Sequence, residues 1–272
     1  MALPAPSLSS TCVVTGASSG IGLELARLLA SKGRGVTLVA RREDRLRSLA
    51  DELASAHGIR AEVLAADLTD PAARSGVRDQ VEERGLTVDV LVNNAGFSTM
   101  SAVAKGDPDR EVAMIRTNVE AVAHMCSLFL PAMVQRGSGA VLNVASTAAF
   151  QPLPGQAGYA ASKSFVLSYT QALAEELRAT GVTATALCPG PVETEFAEVA
   201  GLGGGQAGDA LPRFMWVSAP EVASAAIEGM EKGRLVVIPG AANRTTAALA
   251  PLVPKRFLLP LLSKRHPALR DR

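Results

Sequence analysis

The stretch Thr15-Gly16-Ala17-Ser18-Ser19-Gly20-Ile21-Gly22 follows a β-branched run at residues 11–15 and opens an Ala/Leu-rich segment at residues 20–31. Three glycines between a predicted strand and a predicted helix permit a tight turn and let a ligand come close to the backbone. The helix start then offers unpaired N–H groups and the positive end of its dipole, which together suit a pyrophosphate. The spacing is Gly-x-x-x-Gly-x-Gly, not the Gly-x-Gly-x-x-Gly of the commonest dinucleotide fingerprint. A purely structural turn would also accept these glycines. Their place at the first strand–helix junction favours nucleotide binding.

Outward from this turn the chain alternates short β-branched runs with longer Ala/Leu/Glu/Arg segments, the rhythm of βαβ units. Strands are expected at residues 11–15, 35–40, 61–66, 88–93, 140–146, 182–188 and 235–239. Helices are expected at residues 20–31, 43–57, 71–84, 109–136 (interrupted near its end by Pro131), 159–180 and 220–232. No low-complexity linker divides them. The reading is α/β: a single Rossmann-type doubly wound domain over residues 1–272, with a seven-stranded parallel sheet flanked by helices. Two segments break the rhythm. Residues 195–218, with Gly201, Gly203, Gly204 and Gly205, read as a lid, and residues 250–272 as an apolar and basic tail.

Composition bounds the function. Of 272 residues 48% are hydrophobic but only 4% aromatic, so the core is expected to be aliphatic. The net charge is +1, from 27 basic and 26 acidic residues, which gives no footprint for a nucleic acid. Cys12, Cys126 and Cys188 have no metal or redox spacing and sit in apolar segments, as buried thiols of a reducing compartment would. His57, His124 and His266 likewise lack ligand spacing, and no metal is expected. The first ten residues lack the basic start and apolar run of a signal peptide, and no apolar run of ~18 residues suggests a spanning helix. A cytoplasmic protein is the expectation.

The chemistry-bearing residues come next. Tyr159 and Lys163 are one helical turn apart and share a face. Ser146 ends the fifth predicted strand, Asn93-Asn94-Ala95-Gly96 ends the fourth, and Pro189-Gly190 follows the sixth. In this order, with the glycine turn, these motifs resemble those of the short-chain dehydrogenase/reductase family over about residues 11–239. Jointly they are specific, though none would be alone. The resemblance implies hydride transfer, from the pro-S face of a nicotinamide, between the cofactor and a carbonyl or secondary alcohol. It implies Tyr159 as general acid/base and Lys163 as holder of the nicotinamide ribose. It gives Ser146 the substrate oxygen. It also implies Asn118, in Arg116-Thr117-Asn118-Val119, as a helix-bending residue that links Lys163 to solvent through water, the alternative being a surface polar residue. A neighbouring ammonium is expected to lower the phenol of Tyr159 below its usual value near 10.

The second strand ends at Ala40, and Arg41-Arg42 precede the first acids, Glu43 and Asp44. Alanine cannot accept a hydrogen bond from a ribose 2′-OH, whereas Arg41 can fork onto a 2′-phosphate. NADP(H) is therefore the expected cofactor. The competing reading is a pair of solvated charges at a helix start. The other expected cofactor contacts are Gly16, Ser18, Ser19, Gly20, Ile21 and Gly22 at the pyrophosphate, Asp67 and Leu68 at the adenine, with Asp67 alternatively a helix cap, and Tyr159 together with Lys163. Asn93, Ala95 and Gly96 are placed beneath the adenosine ribose, Asn94 among the contacts, and Asn93 also as a brace between strand ends. Pro189, Gly190, Val192 and Thr194 face the nicotinamide carboxamide, Thr194 alternatively capping a helix.

Phe97, Ala148, Phe150, Leu153, Phe196, Phe214, Met215 and Trp216 suggest an apolar pocket for a small-molecule carbonyl or alcohol. The tail is expected to pack on the lid or on a partner subunit, ahead of the alternative that it lies on a membrane surface. A homodimer or homotetramer follows by resemblance. The runner-up function is a catalytically silent NADP(H)-binding regulator or scaffold, against which the intact Ser146, Tyr159 and Lys163 argue. Epimerisation on the same fold is a third reading, disfavoured by the lack of room for a second sugar-nucleotide domain.

Overall fold

The computed structural model describes residues 3–196, 212–265 and 267–269. Seven strands, β1 (Ser10–Thr15), β2 (Val36–Ala40), β3 (Ala61–Ala65), β4 (Thr87–Asn93), β5 (Gly139–Val144), β6 (Val182–Leu187) and β7 (Val236–Val237), form one sheet in the order β3-β2-β1-β4-β5-β6-β7. Every pairing is parallel. Along β1 the side chains alternate. Cys12 and Val14 pack with Leu25, Leu29, Leu46 and Ile227 on one face, and Val13 packs with Val77, Met125 and Phe129 on the other. Both faces are covered, so the strands read as continuous apolar runs instead of alternating ones.

The helices are α1 (Gly20–Ser31), α2 (Glu43–His57), α3 (Pro71–Glu83), α4 (Pro108–Ile115), α5 (Ala121–Arg136), α6 (Ala157–Glu176), α7 (Ala219–Glu231), α8 (Ala241–Leu249) and α9 (Lys255–Arg265). Their starts are set by local chemistry. Asp70 accepts from the Ala72 N–H at 2.8 Å to cap α3, ahead of Pro71. Ser218 and Glu221 form a reciprocal capping box on α7.

The expected elements stand where the periodicity put them, with ends moved by a few residues. The long fourth helix differs more. It is broken by a π-helical turn, Arg116–Glu120, centred on Asn118, and not at Pro131, through which α5 continues. Phe129, Leu130 and Met133 around that proline are buried in the core, and their packing holds the helix together where a hydrogen bond is missing. Two further helices, α8 and α9, occupy residues the sequence reading left as irregular or tail. Of the expected lid, Gly201, Gly203, Gly204 and Gly205 lie outside the described residues. Its described ends are tied down by a parallel bridge between Val192 and Val217 and a 3₁₀ turn at Arg213–Met215. Among the described residues no helix is long and apolar enough to cross a membrane.

The sheet order reverses between β1 and β4, which opens a crevice at their carboxyl ends. One hydroxyl closes its floor: Thr15 Oγ1 donates to the Val92 carbonyl at 3.1 Å and accepts from the backbone N–H groups of Asn94 at 2.9 Å and Ala95 at 3.0 Å. One layer below, Asn93 donates to Asn143 Oδ1 at 2.9 Å, and Asn143 donates to Thr170 Oγ1 at 3.0 Å. These buried amides lock β4, β5 and α6 in register beneath the crevice.

Candidate active site

The crevice opens into a cavity of about 600 Å³ running from the glycine turn to α8 and α9, within the range of ~300–1,000 Å³ usual for small-molecule sites. At one end lies the turn. Gly16 has φ +67°, and a Cβ there would stand 2.8 Å from Asn94 Nδ2; one at Gly22 would stand 2.4 Å from the Gly16 carbonyl oxygen. Backbone therefore packs on backbone, and the turn presents N–H groups instead of side chains. Helix α1 carries no side-chain cap, because the Ser19 hydroxyl accepts from Arg42 Nη2 at 2.9 Å and not from its own helix. Uncapped donors at the start of a helix, in a glycine cradle, fit a dinucleotide pyrophosphate.

Ser18, Ser19, Gly20, Ile21, Asp67, Leu68, Asn94, Ala95, Gly96, Pro189, Gly190, Val192 and Thr194 all border the cavity, as do Arg41 and Arg42. The two arginines differ. Arg42 donates to Ser18 Oγ and Ser19 Oγ, and its Nη1 meets Glu195 Oε2 at 2.8 Å. Arg45 reaches the other oxygen of Glu195 at 2.6 Å. The hydrogen bonds from Arg45 and Arg42 hold the Glu195 carboxyl at about 2. Arg42 is thus a strap over the turn, whereas Arg41 is exposed and has no hydrogen bond or ion pair among the described residues. Asp67 does not cap α3; that is Asp70, and Asp67 Oδ1 accepts from the Thr69 N–H at 3.0 Å and hydroxyl at 2.9 Å. Asn93 does not border the cavity. It braces the strands, and its neighbour Asn94 lies at the surface of the site. The Thr194 hydroxyl accepts from the Phe196 N–H at 3.3 Å, a local turn contact.

In the middle of the cavity stand Ser146, Tyr159 and Lys163, all at least nine-tenths buried. Lys163 Nζ donates to the Val144 carbonyl at 2.9 Å and lies 5.8 Å from the Tyr159 ring centre. Ser146 accepts from the Ala148 N–H at 3.1 Å and donates to the Pro189 carbonyl at 3.4 Å. Burial pushes the Tyr159 phenol up to about 12, against a smaller lowering by its hydrogen bond with Ser146. Burial also brings Lys163 down to about 8. The expected lowering of the phenol is therefore reversed in the protein alone, because burial disfavours the phenolate.

Asn118 is fully buried, which removes the surface-polar reading. Its Oδ1 accepts from the Phe97 N–H at 3.1 Å, and its Nδ2 donates to the Phe97 carbonyl at 3.0 Å and to Ser162 Oγ at 3.1 Å. It does not border the cavity but stands behind Gly96, where a Cβ would meet Asn118 Oδ1 at 2.8 Å and Lys163 Nζ at 3.4 Å.

The far end is apolar. Phe97, Ala148, Leu153, Phe196, Met215 and Trp216 border it as expected, and the Tyr159 and Phe196 ring centres are 5.7 Å apart. Two expected members do not. Phe150 packs against the small core cluster of Val166 and Ala186, and Phe214 is 75% exposed. The residues missed include Met100, Gln151 and Gln156, and Asn243, Thr246, Ala247 and Leu262 from α8 and α9. Asn243 is the most informative. Its Nδ2 donates to the Met215 carbonyl at 3.0 Å and the Pro239 carbonyl at 3.1 Å, and its amide lies against Gly190 so closely that no side chain fits there. It ties the end of the expected lid to the turn after β7 and packs on Gly190 in the loop after β6. No motif flagged it.

On one doubly wound sheet, a glycine cradle suited to a nucleotide thus opens into the cavity that holds the buried Ser146, Tyr159 and Lys163. The family model for short chain dehydrogenases matches residues 10–201. A short-chain dehydrogenase of Pseudocercospora fijiensis is 41% identical over 188 residues, 68% of this chain and 60% of that protein. A putative ketoacyl reductase of Streptomyces coelicolor is 40% identical over 191 residues, 70% of this chain and 73% of that one. Among solved structures, a short-chain dehydrogenase from Sphingobium yanoikuyae in complex with NADPH superposes with a TM-score of 0.79 at 34% identity, covering 88% of this chain and 92% of that one. The chain belongs to the short-chain dehydrogenase/reductase family of oxidoreductases.

Burying Lys163 has a stability signature. Its folded value of about 8 lies below the ordinary 10.5, so the folded protein carries a desolvated ammonium that the unfolded chain keeps in water. That costs roughly 3 kcal/mol below pH 8, and the cost fades as pH rises from about 8 to 10.5. Lys163→Met is expected to raise Tm at pH 7 by a few degrees, with the gap to wild type closing toward pH 10. Thermal unfolding across this range checks it, and a Tm at pH 7 at or below wild type contradicts it.

Proposed function

We propose that this oxidoreductase reduces a carbonyl group on an apolar small molecule, using NADPH, with Tyr159 as proton donor. The observation that carries the reading is the burial of Ser146, Tyr159 and Lys163 in one wall of the cavity that begins at the nucleotide turn. When bound, the cofactor supplies the hydride, and the protein supplies position, proton and electrostatics.

Each side chain has a task that its surroundings allow. Tyr159, held near 12, keeps its proton throughout the ordinary pH range and is ready to donate it to a developing alkoxide. Ser146, in the same cavity wall as the phenol, orients the substrate oxygen beside it. Lys163 spends one N–H on the Val144 carbonyl, and its two remaining donors suit the nicotinamide ribose hydroxyls. Asn118 positions the floor: it fixes Phe97 and Ser162, and with them Gly96 and α6. The Val192–Val217 bridge and Asn243 hold the carboxamide loop against the substrate side.

Preference for the phosphorylated cofactor rests on the second strand. Ala40 offers no acceptor for a ribose 2′-OH, and the unengaged Arg41 is the free guanidinium at the cavity rim. The NADPH carried by the Sphingobium structure supports this reading. The apolar wall of Phe97, Leu153, Phe196 and Trp216 supports an apolar substrate, and the putative ketoacyl reductase is a relative whose name fits one.

Tyr159→Phe is expected to lower kcat on the order of a thousandfold in a panel of ketones, aldehydes and acyl substrates followed by NADPH absorbance. NADPH affinity should stay within about twofold, since the phenol serves chemistry and not cofactor retention. Full turnover in this variant overturns the mechanism. Arg41→Asp is expected to reduce the ratio of kcat/KM for NADPH over NADH by about ten- to a hundredfold, the worth of one charged hydrogen-bonded contact. An unchanged ratio overturns the assignment of Arg41.

A further inference from the structure

Helix α9 has one face toward the site and another toward solvent. Leu262, on the inner face, borders the cavity together with Ala250 just upstream. On the outer side Leu252 is 76% exposed, Val253 40%, Phe257 62% and Leu261 51%. Phe257 and Leu261 are four residues apart on a helix and therefore stand one above the other. Contiguous exposed apolar groups of this kind are unusual on a free protein surface and mark something that covers them.

Charge says what that is. Residues 232–270 contain eight basic residues and no acidic one, in a chain whose net charge is only +1. Lys255, Arg256 and Lys264 flank the apolar stripe and are exposed. The Arg256 guanidinium lies 4.7 Å from the Phe257 ring centre, so the cation and the ring share one surface. We propose that this face, with Leu252, Val253, Phe257 and Leu261 submerged and Lys255, Arg256 and Lys264 at the phosphates, docks the protein on an anionic lipid bilayer. A protein partner would need an apolar groove rimmed with acids. A bilayer of acidic lipids supplies both an apolar layer and negative charge without further requirement. The docked face adjoins the α9 residue that lines the cavity, so an apolar molecule leaving the bilayer enters the site directly. The docking itself stands independently of the reductase reading.

The test is co-sedimentation of the full chain with vesicles of phosphatidylcholine alone and of equal parts phosphatidylcholine and phosphatidylglycerol. Binding is expected to the mixed vesicles only and to weaken with added salt. Phe257→Ser/Leu261→Ser and, separately, Lys255→Glu/Arg256→Glu should each lower the bound fraction about tenfold or more. These residues are exposed, so Tm, solution mass by light scattering and turnover of a water-soluble substrate should be unchanged. Three results overturn the proposal: no sedimentation of wild type with the mixed vesicles, equal binding to both vesicle types, or a lower solution mass in the Phe257/Leu261 variant, which would make the face a contact between copies of the chain.

Discussion

Water exclusion at the carboxyl edge of β5 is the constraint on which the site depends. Tyr159 and Lys163 are at least nine-tenths buried in the cavity wall, backed by their own helix, by Ser146 and by the layer of Phe97, Asn118 and Ser162. In water a phenol and an ammonium titrate near the same pH. Here burial drives them apart, to about 12 and about 8, so the phenol is a firm proton holder and the ammonium a weak one. The glycine at position 96 belongs to the same constraint. A Cβ there would stand 2.8 Å from Asn118 Oδ1 and 3.4 Å from Lys163 Nζ, so any side chain would displace them.

That sealed centre works only because the sheet beneath it is rigid. The Asn93–Asn143–Thr170 chain of hydrogen bonds leaves no orphaned amide between β4, β5 and α6, and Thr15 joins β1 to the start of the next loop. The same framework aims the uncapped end of α1 into the crevice. Arg42 adds a strap across the turn, held from the far side by Glu195, and so couples the cofactor end to the segment that follows β6. Asn243 makes the matching tie on the substrate side. These ties lie between charged or polar groups of modest exposure, and they set geometry more than stability.

Much of this was legible in the chain. The strands are visible as β-branched runs because both sheet faces are covered, and the glycine turn, Ser146, Tyr159 and Lys163, which stand out only jointly in the sequence, border one cavity. What escaped was set by tertiary packing. Pro131 is a break by local rules, yet core contacts carry α5 through it; the π turn falls at Asn118, the position the family resemblance gives as helix-bending. Arg41 and Arg42 are adjacent and identical in type, and only the distances to Ser18, Ser19 and Glu195 separate their roles. Asn93 and Asn94 are likewise identical, and strand pleating decides that one braces the sheet and the other meets the cavity. Asn243 and α8 follow a strand only two residues long and carry no motif. The direction of the Tyr159 shift was misjudged because charge proximity can be read from spacing and depth of burial cannot.

The central claim is that burial governs the Tyr159 phenol. The chain has only two tyrosines, so Tyr169→Phe leaves Tyr159 as the single titrating phenol. Its ionisation, followed by near-ultraviolet absorbance in the protein alone, is predicted to begin only as pH approaches about 12. A midpoint at or below the ordinary value near 10 would contradict the account, because burial would then not be what sets the phenol.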